Sequence, residues 1–178
     1  MIEKRTPNKS DTVHICYLAD HNVADQLFIS IHSVICSSSC KVKYRLNIVD
    51  AGLKRKDRHK IKNYVENIKN ATISFIEVDI SATADIPDPN YVGRAAYLKL
   101  LVPKVINKNI DKVILIDTDT IVINDLNSLY QHNIKDKVLY CVQEFSSPKI
   151  GQTYKKTKLT EVVNLDLSRE YYNSGVML

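Results

Sequence analysis

The chain has 178 residues, a net charge of +5 and 44% hydrophobic residues, a composition typical of a soluble domain that can bury a core. No apolar run reaches the roughly 20 residues of a membrane span. The polar first residues, MIEKRTPNKSDT, lack the apolar centre of a signal peptide. We therefore expect a single cytoplasmic domain over residues 1–178. Reduced thiols are expected at all four cysteines, which lack the spacing of a zinc site: Cys16, Cys36, Cys40 and Cys141.

Apolar runs of strand length alternate along the chain with segments of helical periodicity. Strands are predicted at Val13–Asp20, Tyr44–Asp50, Thr72–Ile80, within Lys112–Asp125, at Val138–Phe145 and at Tyr171–Leu178. Helices are predicted at Asn22–Cys36, around Ile61–Ile68 and at Tyr91–Ile106, where Pro103 is expected to end or kink the helix. This alternation predicts an α/β fold with a mostly parallel sheet flanked by helices. The polar segment Ser146–Ser168 is predicted to be a loop that could act as a lid.

Two basic clusters carry the excess positive charge, KRKDRHKIK at Lys54–Lys62 and KIGQTYKKTK at Lys149–Lys158. A solvated helix face and a basic loop are one interpretation. Attraction to an anionic partner, either a phosphorylated acceptor or a membrane surface, is the other. Nucleic acid is not expected as a partner, because the clusters contain few aromatic residues and no recognised nucleic-acid motif is present.

The stretch KVILIDTDTIVIND places two carboxylates directly after an apolar strand. In a parallel α/β sheet, ligands bind beyond the carboxyl ends of the strands, and Asp20, Asp50, Asp117 and Asp119 all follow such ends. If the segment is extended, Asp117 and Asp119 point to one side and converge. Converging carboxylates favour a hard divalent cation, Mg²⁺ or Mn²⁺, with open positions for phosphates. The alternative is that Asp117 is a turn residue and Asp119 a solvated acid.

Several other motifs are absent or have a structural explanation. The turn after the first strand, ADHNVAD, contains neither G-x-G-x-x-G nor a phosphate-binding P-loop, and no G-x-S-x-G occurs. Acidic side chains and backbone groups would therefore have to hold the base of any bound nucleotide. Asp125 precedes LNSLY and is predicted to cap a short helix. The histidines are not paired, although His21 lies beside the turn after the first strand.

Four motifs, in order, resemble glycosyltransferase family 8, the retaining transferases that include glycogenin and bacterial lipopolysaccharide galactosyl- and glucosyltransferases. They are YLADHNV, RAAYLKLLVP, DKVILIDTDTIVINDLNSLY and YYNSGVML. The resemblance implies a nucleotide-diphospho-sugar transferase fold of the GT-A type. It also implies transfer of galactose or glucose from a UDP-sugar to a saccharide acceptor such as lipopolysaccharide or lipooligosaccharide, with retention of configuration and dependence on Mn²⁺ or Mg²⁺.

The same resemblance implies a role for each matching residue. Asp20 and Asn22 would contact uracil and ribose, and Asp117 and Asp119 would bind the metal, with Thr118 and Asp119 also near the nucleotide. The donor sugar and diphosphate would be contacted by Lys99, Glu144, Asn173 and Gly175. Two positions depart from the family pattern: Lys99 stands where an arginine is usual, which removes a two-pronged donor, and Val23 replaces an aromatic residue that packs on the base.

The end of the chain bears on its activity. The chain ends in an apolar run, NSGVML, so we expect a C-terminal truncation. The family's later segment supplies a further metal ligand and much of the acceptor site, so no catalytic residue can be assigned. A non-catalytic remnant that binds sugar nucleotides is one alternative. A haloacid-dehalogenase-like phosphatase with Asp117 as nucleophile is another, although DTDT lacks the usual glycine.

Overall fold

The computed structural model describes residues 12–39, 41–79, 81, 97–134, 137–153 and 166–178. Its strands are β1 (Thr12–Ala19), β2 (Lys43–Asp50), β3 (Ala71–Glu77), β4 (Ile114–Ile116), β5 (Cys141–Gln143) and β6 (Tyr172–Met177). Its helices are α1 (Ala24–Ser37), α2 (Arg55–Glu66), α3 (Val102–Val105), α4 (Asn127–Tyr130) and α5 (Ile150–Thr153), and a 3-10 turn at Leu98–Leu101 leads directly into α3.

The six strands form one sheet in the order β3-β2-β1-β4-β6-β5. The neighbours β3, β2, β1 and β4 are parallel, whereas β6 runs antiparallel to both β4 and β5. The chain leaves β1 through α1 and α2 toward β3, and then returns to place β4 on the other side of β1. The strand order therefore reverses between β1 and β4, which is where open α/β sheets form a ligand-binding crevice.

Each face of the sheet is covered by apolar side chains at helical spacing. Helix α1 packs Leu27, Ile31 and Val34 against one face, and α2 adds Ile61 and Val65 to the same core. On the other face, Val102 and Ile106 pack against Cys16, Val49 and Leu115. The mixed α/β fold predicted from the sequence is confirmed. Coverage of both faces explains why the last five residues of β2, 46–50, are all buried.

The third predicted helix is interrupted in the structure. Residues 91–96 lie outside the described residues, and the following residues form the 3-10 turn and then α3. Pro103 lies in the first turn of α3 rather than at the end of a helix. Proline is tolerated there because the amide of a first-turn residue has no intrahelical partner.

The last part of the sheet is shorter than its apolar pattern suggests. The predicted strand Val138–Phe145 is reduced to three residues in β5, with an irregular register between Cys141 and Gln143. Val138 and Phe145 are each 99% exposed, so these apolar side chains do not contribute to the core. The predicted lid segment, Ser146–Ser168, includes α5, and its Lys149 forms an antiparallel bridge with Glu170 just beyond the segment. Residues 154–165 of that segment lie outside the described residues.

Two further expectations concern the membrane and the cysteines. In the parts of the chain that the structure describes, every helix is too short or too polar to cross a bilayer. Cys16, Cys36 and Cys141 are free thiols, and Cys40 lies outside the described residues.

Candidate functional site

The strand directions bring the predicted site residues to one edge of the sheet. β1 and β4 are parallel, so Asp20 and Asp117 follow their carboxyl ends at the same edge. β6 is antiparallel to β4 and therefore begins there, with Asn173 and Gly175. β5 is antiparallel to β6 and therefore ends there, just before Glu144. This edge includes the crevice between β1 and β4.

Asp117 and Lys99 form the central ion pair of this edge. The ammonium of Lys99 lies 2.6 Å from Oδ1 of Asp117, and it also donates to the backbone oxygen of Ser174 at 3.0 Å and to its Oγ at 3.3 Å. The Lys99 side chain is only 16% exposed. The chain therefore places a positive charge of its own against the first carboxylate of the D-x-D motif.

Asp117 is also fixed through its backbone. Its amide donates to the carbonyl of Gly175 at 2.8 Å, which continues the pairing of β4 with β6 for one residue beyond the strand. The amide of Thr120 then donates to the carbonyl of Asp117 at 3.1 Å and closes a turn. Asp117 and Gly175 are thus held as neighbours, although they come from different parts of the chain.

This turn corrects the geometric argument for converging carboxylates. Strand β4 ends at Ile116, and Thr118 and Asp119 lie in the turn rather than in an extended segment. The two-residue alternation of a strand therefore does not apply to Asp117 and Asp119. Asp119 is exposed, and within the described ranges its carboxylate has no hydrogen bond or ion pair. The role of Asp119 as a metal ligand stays a prediction.

Asn173 connects the start of β6 with Glu144. Its Oδ1 accepts a hydrogen bond from the amide of Gly175 at 2.7 Å, and its Nδ2 donates to Oε2 of Glu144 at 3.0 Å. The other oxygen of Glu144 accepts from the amide of Ser146 at 3.2 Å and from its Oγ at 3.0 Å. These hydrogen bonds, led by the one from Asn173, lower the pKa of Glu144. Glu144 is therefore an oriented carboxylate at neutral pH.

Gly175 leaves space that both polar neighbours need. A Cβ at this position would lie 2.9 Å from Oδ1 of Asn173 and 3.6 Å from Oδ2 of Asp117. The first distance is too short for a real contact, so the Asn173 amide would have to move away from the Gly175 amide and from Glu144. The glycine therefore preserves the side-chain arrangement around the site.

Asp20 and Asn22 occupy the turn between β1 and α1. Oδ1 of Asp20 accepts from the amide of Asn22 at 2.8 Å, and Oδ2 accepts from its Nδ2 at 3.1 Å. In this arrangement the two residues bind each other, and both are exposed or partly exposed at the edge. Val23 packs against the main core beneath the turn. His21 is exposed in the same turn.

Asp50 follows a strand end at the same edge, but the structure gives it another role. It is buried, its Oδ1 accepts from the amides of Gly52 at 2.9 Å and Leu53 at 2.7 Å, and its Oδ2 lies 2.5 Å from Nε of Arg58. These contacts join the end of β2 to the start of α2 and to Arg58 within it. Asp50 is therefore a structural residue.

Asp125, predicted as a helix cap, has a wider role. Its Oδ1 accepts from the amide of Asn127, the first residue of α4, at 2.7 Å and from the hydroxyl of Tyr44 at 2.5 Å. Its Oδ2 accepts from the amide of Ser39 at 2.7 Å. The residue therefore fastens the chain that follows the D-x-D turn to the opposite end of the sheet.

Sequence reasoning missed Ser174 and Ser146. Ser174 supplies two acceptors to Lys99, and Ser146 supplies two donors to Glu144. The position of Ser174 inside the N-S-G motif was the available signal. Ser146 carries no comparable signal, because the contact depends on the turn after β5.

The oxygens of this edge suit a hard divalent cation. Asp117 and Asp119 are the candidate side chains, and Oδ1 of Asp117 already faces a cation, Lys99. Across the residues that the structure describes, no group of three or more His, Cys, Asp or Glu side chains gathers around one point. The described residues would therefore supply two carboxylates, those of Asp117 and Asp119, to a bound cation.

The fold and this edge together define a class of protein. Galactosyltransferase LgtC, solved in complex with donor and acceptor sugar analogues, superimposes with a TM-score of 0.76 at 22% identity and is matched over 93% of this chain and 56% of that chain. The fold is therefore the GT-A fold found in glycosyltransferases. The chain belongs to glycosyl transferase family 8, whose model matches residues 14–178.

Curated relatives agree with this assignment. A putative glycosyltransferase of Haemophilus influenzae is 28% identical over 170 residues, covering 95% of this chain and 48% of the relative. General stress protein A of Bacillus subtilis is 25% identical over 171 residues, covering 96% of this chain and 56% of the relative. The chain thus spans about half the length of these relatives.

Proposed function

We propose that the chain is the donor-binding part of a retaining hexosyltransferase. It would hold a UDP-sugar, UDP-galactose or UDP-glucose, and the hexose would pass to a hydroxyl of a saccharide or glycolipid acceptor such as lipopolysaccharide. The observation that carries the proposal is the Lys99–Asp117 pair at the strand-order reversal, opposite the start of β6. Family membership supports the reaction class.

Under this proposal, different residues of the edge contact different parts of the donor. The turn with Asp20 and Asn22 would hold uracil and ribose, exchanging some of its internal hydrogen bonds for bonds to the nucleotide. Lys99, with its single compact charge, would reach a diphosphate or sugar oxygen. Glu144 and Asn173 would orient the hydroxyls of the hexose, because one is an acceptor and the other both donates and accepts.

Mn²⁺ or Mg²⁺ would be held by Asp117 and Asp119, whose oxygens match the preference of these ions. A bound cation of this kind stabilises the negative charge that develops on the departing diphosphate. The chain's own contribution is to orient the donor and to place Lys99 near the same charge. A third protein ligand of the cation would come from outside the described residues.

The acceptor and the location in the cell are also proposals. The basic helix α2 and the basic segment after β5 would favour an acceptor at an anionic membrane surface, with the protein peripheral to it. Part of α2 is already neutralised, since Arg58, Lys60 and Lys62 form ion pairs with Asp or Glu side chains. The attraction would therefore rest on Lys54, Arg55 and Lys56 and on the basic segment.

The first test is calorimetric titration of UDP into the chain, with and without Mn²⁺. We expect Mn²⁺ to strengthen UDP binding, and Asp117→Asn to abolish that effect. Asp111→Asn is the matched control, because it removes an exposed carboxylate just before β4 without touching the edge. If UDP binding is independent of Mn²⁺, or if both variants behave alike, the proposed donor site is wrong.

A non-catalytic sugar-nucleotide-binding module is the second candidate function. It is favoured by the two-carboxylate donor set, to which the described part of the chain adds no third ligand of the same kind. Both candidates predict metal-dependent UDP binding. They differ in turnover, so release of UDP from UDP-galactose or UDP-glucose in the presence of lipooligosaccharide distinguishes them.

A further inference from the structure

A cavity lies at the end of the sheet opposite Asp20 and Asp117, where β1, β2 and β3 begin. It has a volume of about 390 Å³. It is lined by residues at the start of all three strands and by the two residues just before β3. Strands rise about 3.3 Å per residue, so the eight residues of β1 separate this cavity from the edge that holds Asp20 and Asp117 by about 25 Å. A ligand in the cavity therefore could not contact a donor at the other edge.

The charged part of its lining is entirely basic. Lys43, Arg45 and Lys69 face the cavity, and no Asp or Glu of the described residues lines it. Within the same described part of the chain, none of these three side chains forms an ion pair. The basic residues of α2 behave differently, since Arg58 binds Asp50 and Glu77, and Lys60 and Lys62 each pair with a carboxylate. Three like charges around one space repel each other unless an anion enters it.

The side chain of His14 also lines this cavity. It lies directly beside Arg45 in the register of β1 and β2. Its Nδ1 is buried and has no hydrogen-bond partner among the described residues. The imidazole therefore lies among basic side chains, and an anion in the cavity would stabilise its protonated form. Burial, and then the charge of Arg45, lower the pKa of His14.

We propose that this cavity binds a phosphate group carried by a small organic molecule or by a lipid. Arg45 presents a planar fork that matches two phosphate oxygens, and Lys43 and Lys69 add point charges. His14 lines the same cavity beside Arg45 and would lie next to the bound anion. The volume exceeds what a phosphate group alone fills and lies within the range of sites for small ligands. The proposal does not depend on the donor site.

Calorimetry with inorganic phosphate and with phenyl phosphate tests the binding. We expect both to bind, phenyl phosphate more tightly, and Arg45→Gln to weaken each by about tenfold, as expected for the loss of a charge-assisted pair of hydrogen bonds. Lys41→Gln is the matched control: it removes an exposed charge just before β2 that does not line the cavity. No measurable binding of either probe, or equal weakening by both variants, overturns the proposal.

Proton NMR of the histidines gives an independent readout. Phosphate in the cavity stabilises the imidazolium of His14 and should raise the pKa of this residue, with no change at His59 on α2. A His14 titration that phosphate leaves unchanged overturns the proposed contact. His14→Gln identifies the resonance.

Co-sedimentation with vesicles separates the two sources of the phosphate. Sedimentation with phosphatidylglycerol vesicles but not phosphatidylcholine vesicles, lost in Arg45→Gln and kept in Lys41→Gln, supports a lipid headgroup. Binding of the soluble probes without vesicle binding supports a free phosphate ester. Vesicle binding that both variants weaken equally shows general surface charge and overturns the site.

Discussion

Replacing Lys99 with Met should make the chain bind Mn²⁺ more tightly when no nucleotide is present. Lys99 lies 2.6 Å from Oδ1 of Asp117, so a metal ion on that carboxylate would lie at about 4 Å from the ammonium. A +2 and a +1 charge at about 4 Å repel by about 2 kcal/mol in a water-like dielectric. The Asp117 side chain is 37% exposed, and screening by 0.15 M salt reduces the repulsion to roughly 1.2 kcal/mol. The expected gain is therefore about tenfold in affinity.

The assay is titration of Mn²⁺ with detection of the free ion by electron paramagnetic resonance. Lys104→Met is the matched control, since it removes an exposed lysine of α3. Adding UDP gives a second expectation. In the unsubstituted chain, the diphosphate offers Lys99 a new partner, so UDP and Mn²⁺ should strengthen each other's binding, and Lys99→Met should reduce this mutual effect. An unchanged or weaker Mn²⁺ affinity in Lys99→Met, or an equal gain in Lys104→Met, would refute the reasoning.

Three further predictions follow from individual contacts. Gly175→Ala should displace the Asn173 amide, because the added Cβ would lie 2.9 Å from its Oδ1. Since Asn173 is proposed to contact the sugar, calorimetry should show a larger loss of UDP-sugar binding than of UDP binding. Equal losses would contradict this. Asp125→Ala should lower the free energy of unfolding by about 2–4 kcal/mol in urea, because a charged acceptor of three hydrogen bonds is lost. Burial raises the pKa of Asp125, but the hydrogen bonds that its carboxylate accepts outweigh burial and hold the pKa below the ordinary value of 3.8. The stabilisation by Asp125 should therefore be complete above pH 3.8. It should disappear as the pH falls through the lower pKa of the folded chain. Burial raises the pKa of Cys16 to about 12, so iodoacetamide at pH 8 should label exposed Cys36 well before Cys16, as read by mass spectrometry, and early labelling of Cys16 would contradict the burial.

Local sequence patterns predict much of the architecture. Strand β1, helix α1 and strand β2 agree with their predictions to within two residues at each end, because periodicity and apolar runs depend only on neighbouring residues. The antiparallel direction of β6 could not be read this way, since an apolar run is the same in either direction. It is also the feature that brings Asn173 and Gly175 to the edge of the sheet that holds Asp117.

The acidic residues that follow the strands have different roles, which the sequence alone does not distinguish. Asp50 and Asp117 follow similar apolar runs, yet Asp50 is occupied by Arg58 and two backbone amides, and Asp117 faces the crevice. The difference lies in which residues the fold places opposite each carboxylate. Arg58 comes from the helix that follows β2, whereas Lys99 reaches Asp117 from the segment that covers the other face.

The α/β class, the early strands and helices and the resemblance to a family are all predicted from the sequence, because they depend on local composition and order. The pairing of Lys99 with Asp117 and with Ser174, 75 positions further along the chain, is visible only in the folded chain. The folded chain also shows that the D-x-D carboxylates lie on a turn, and that Lys43, Arg45 and Lys69 surround one cavity. Charges interact through distance in space, and that distance is set by strand order and direction.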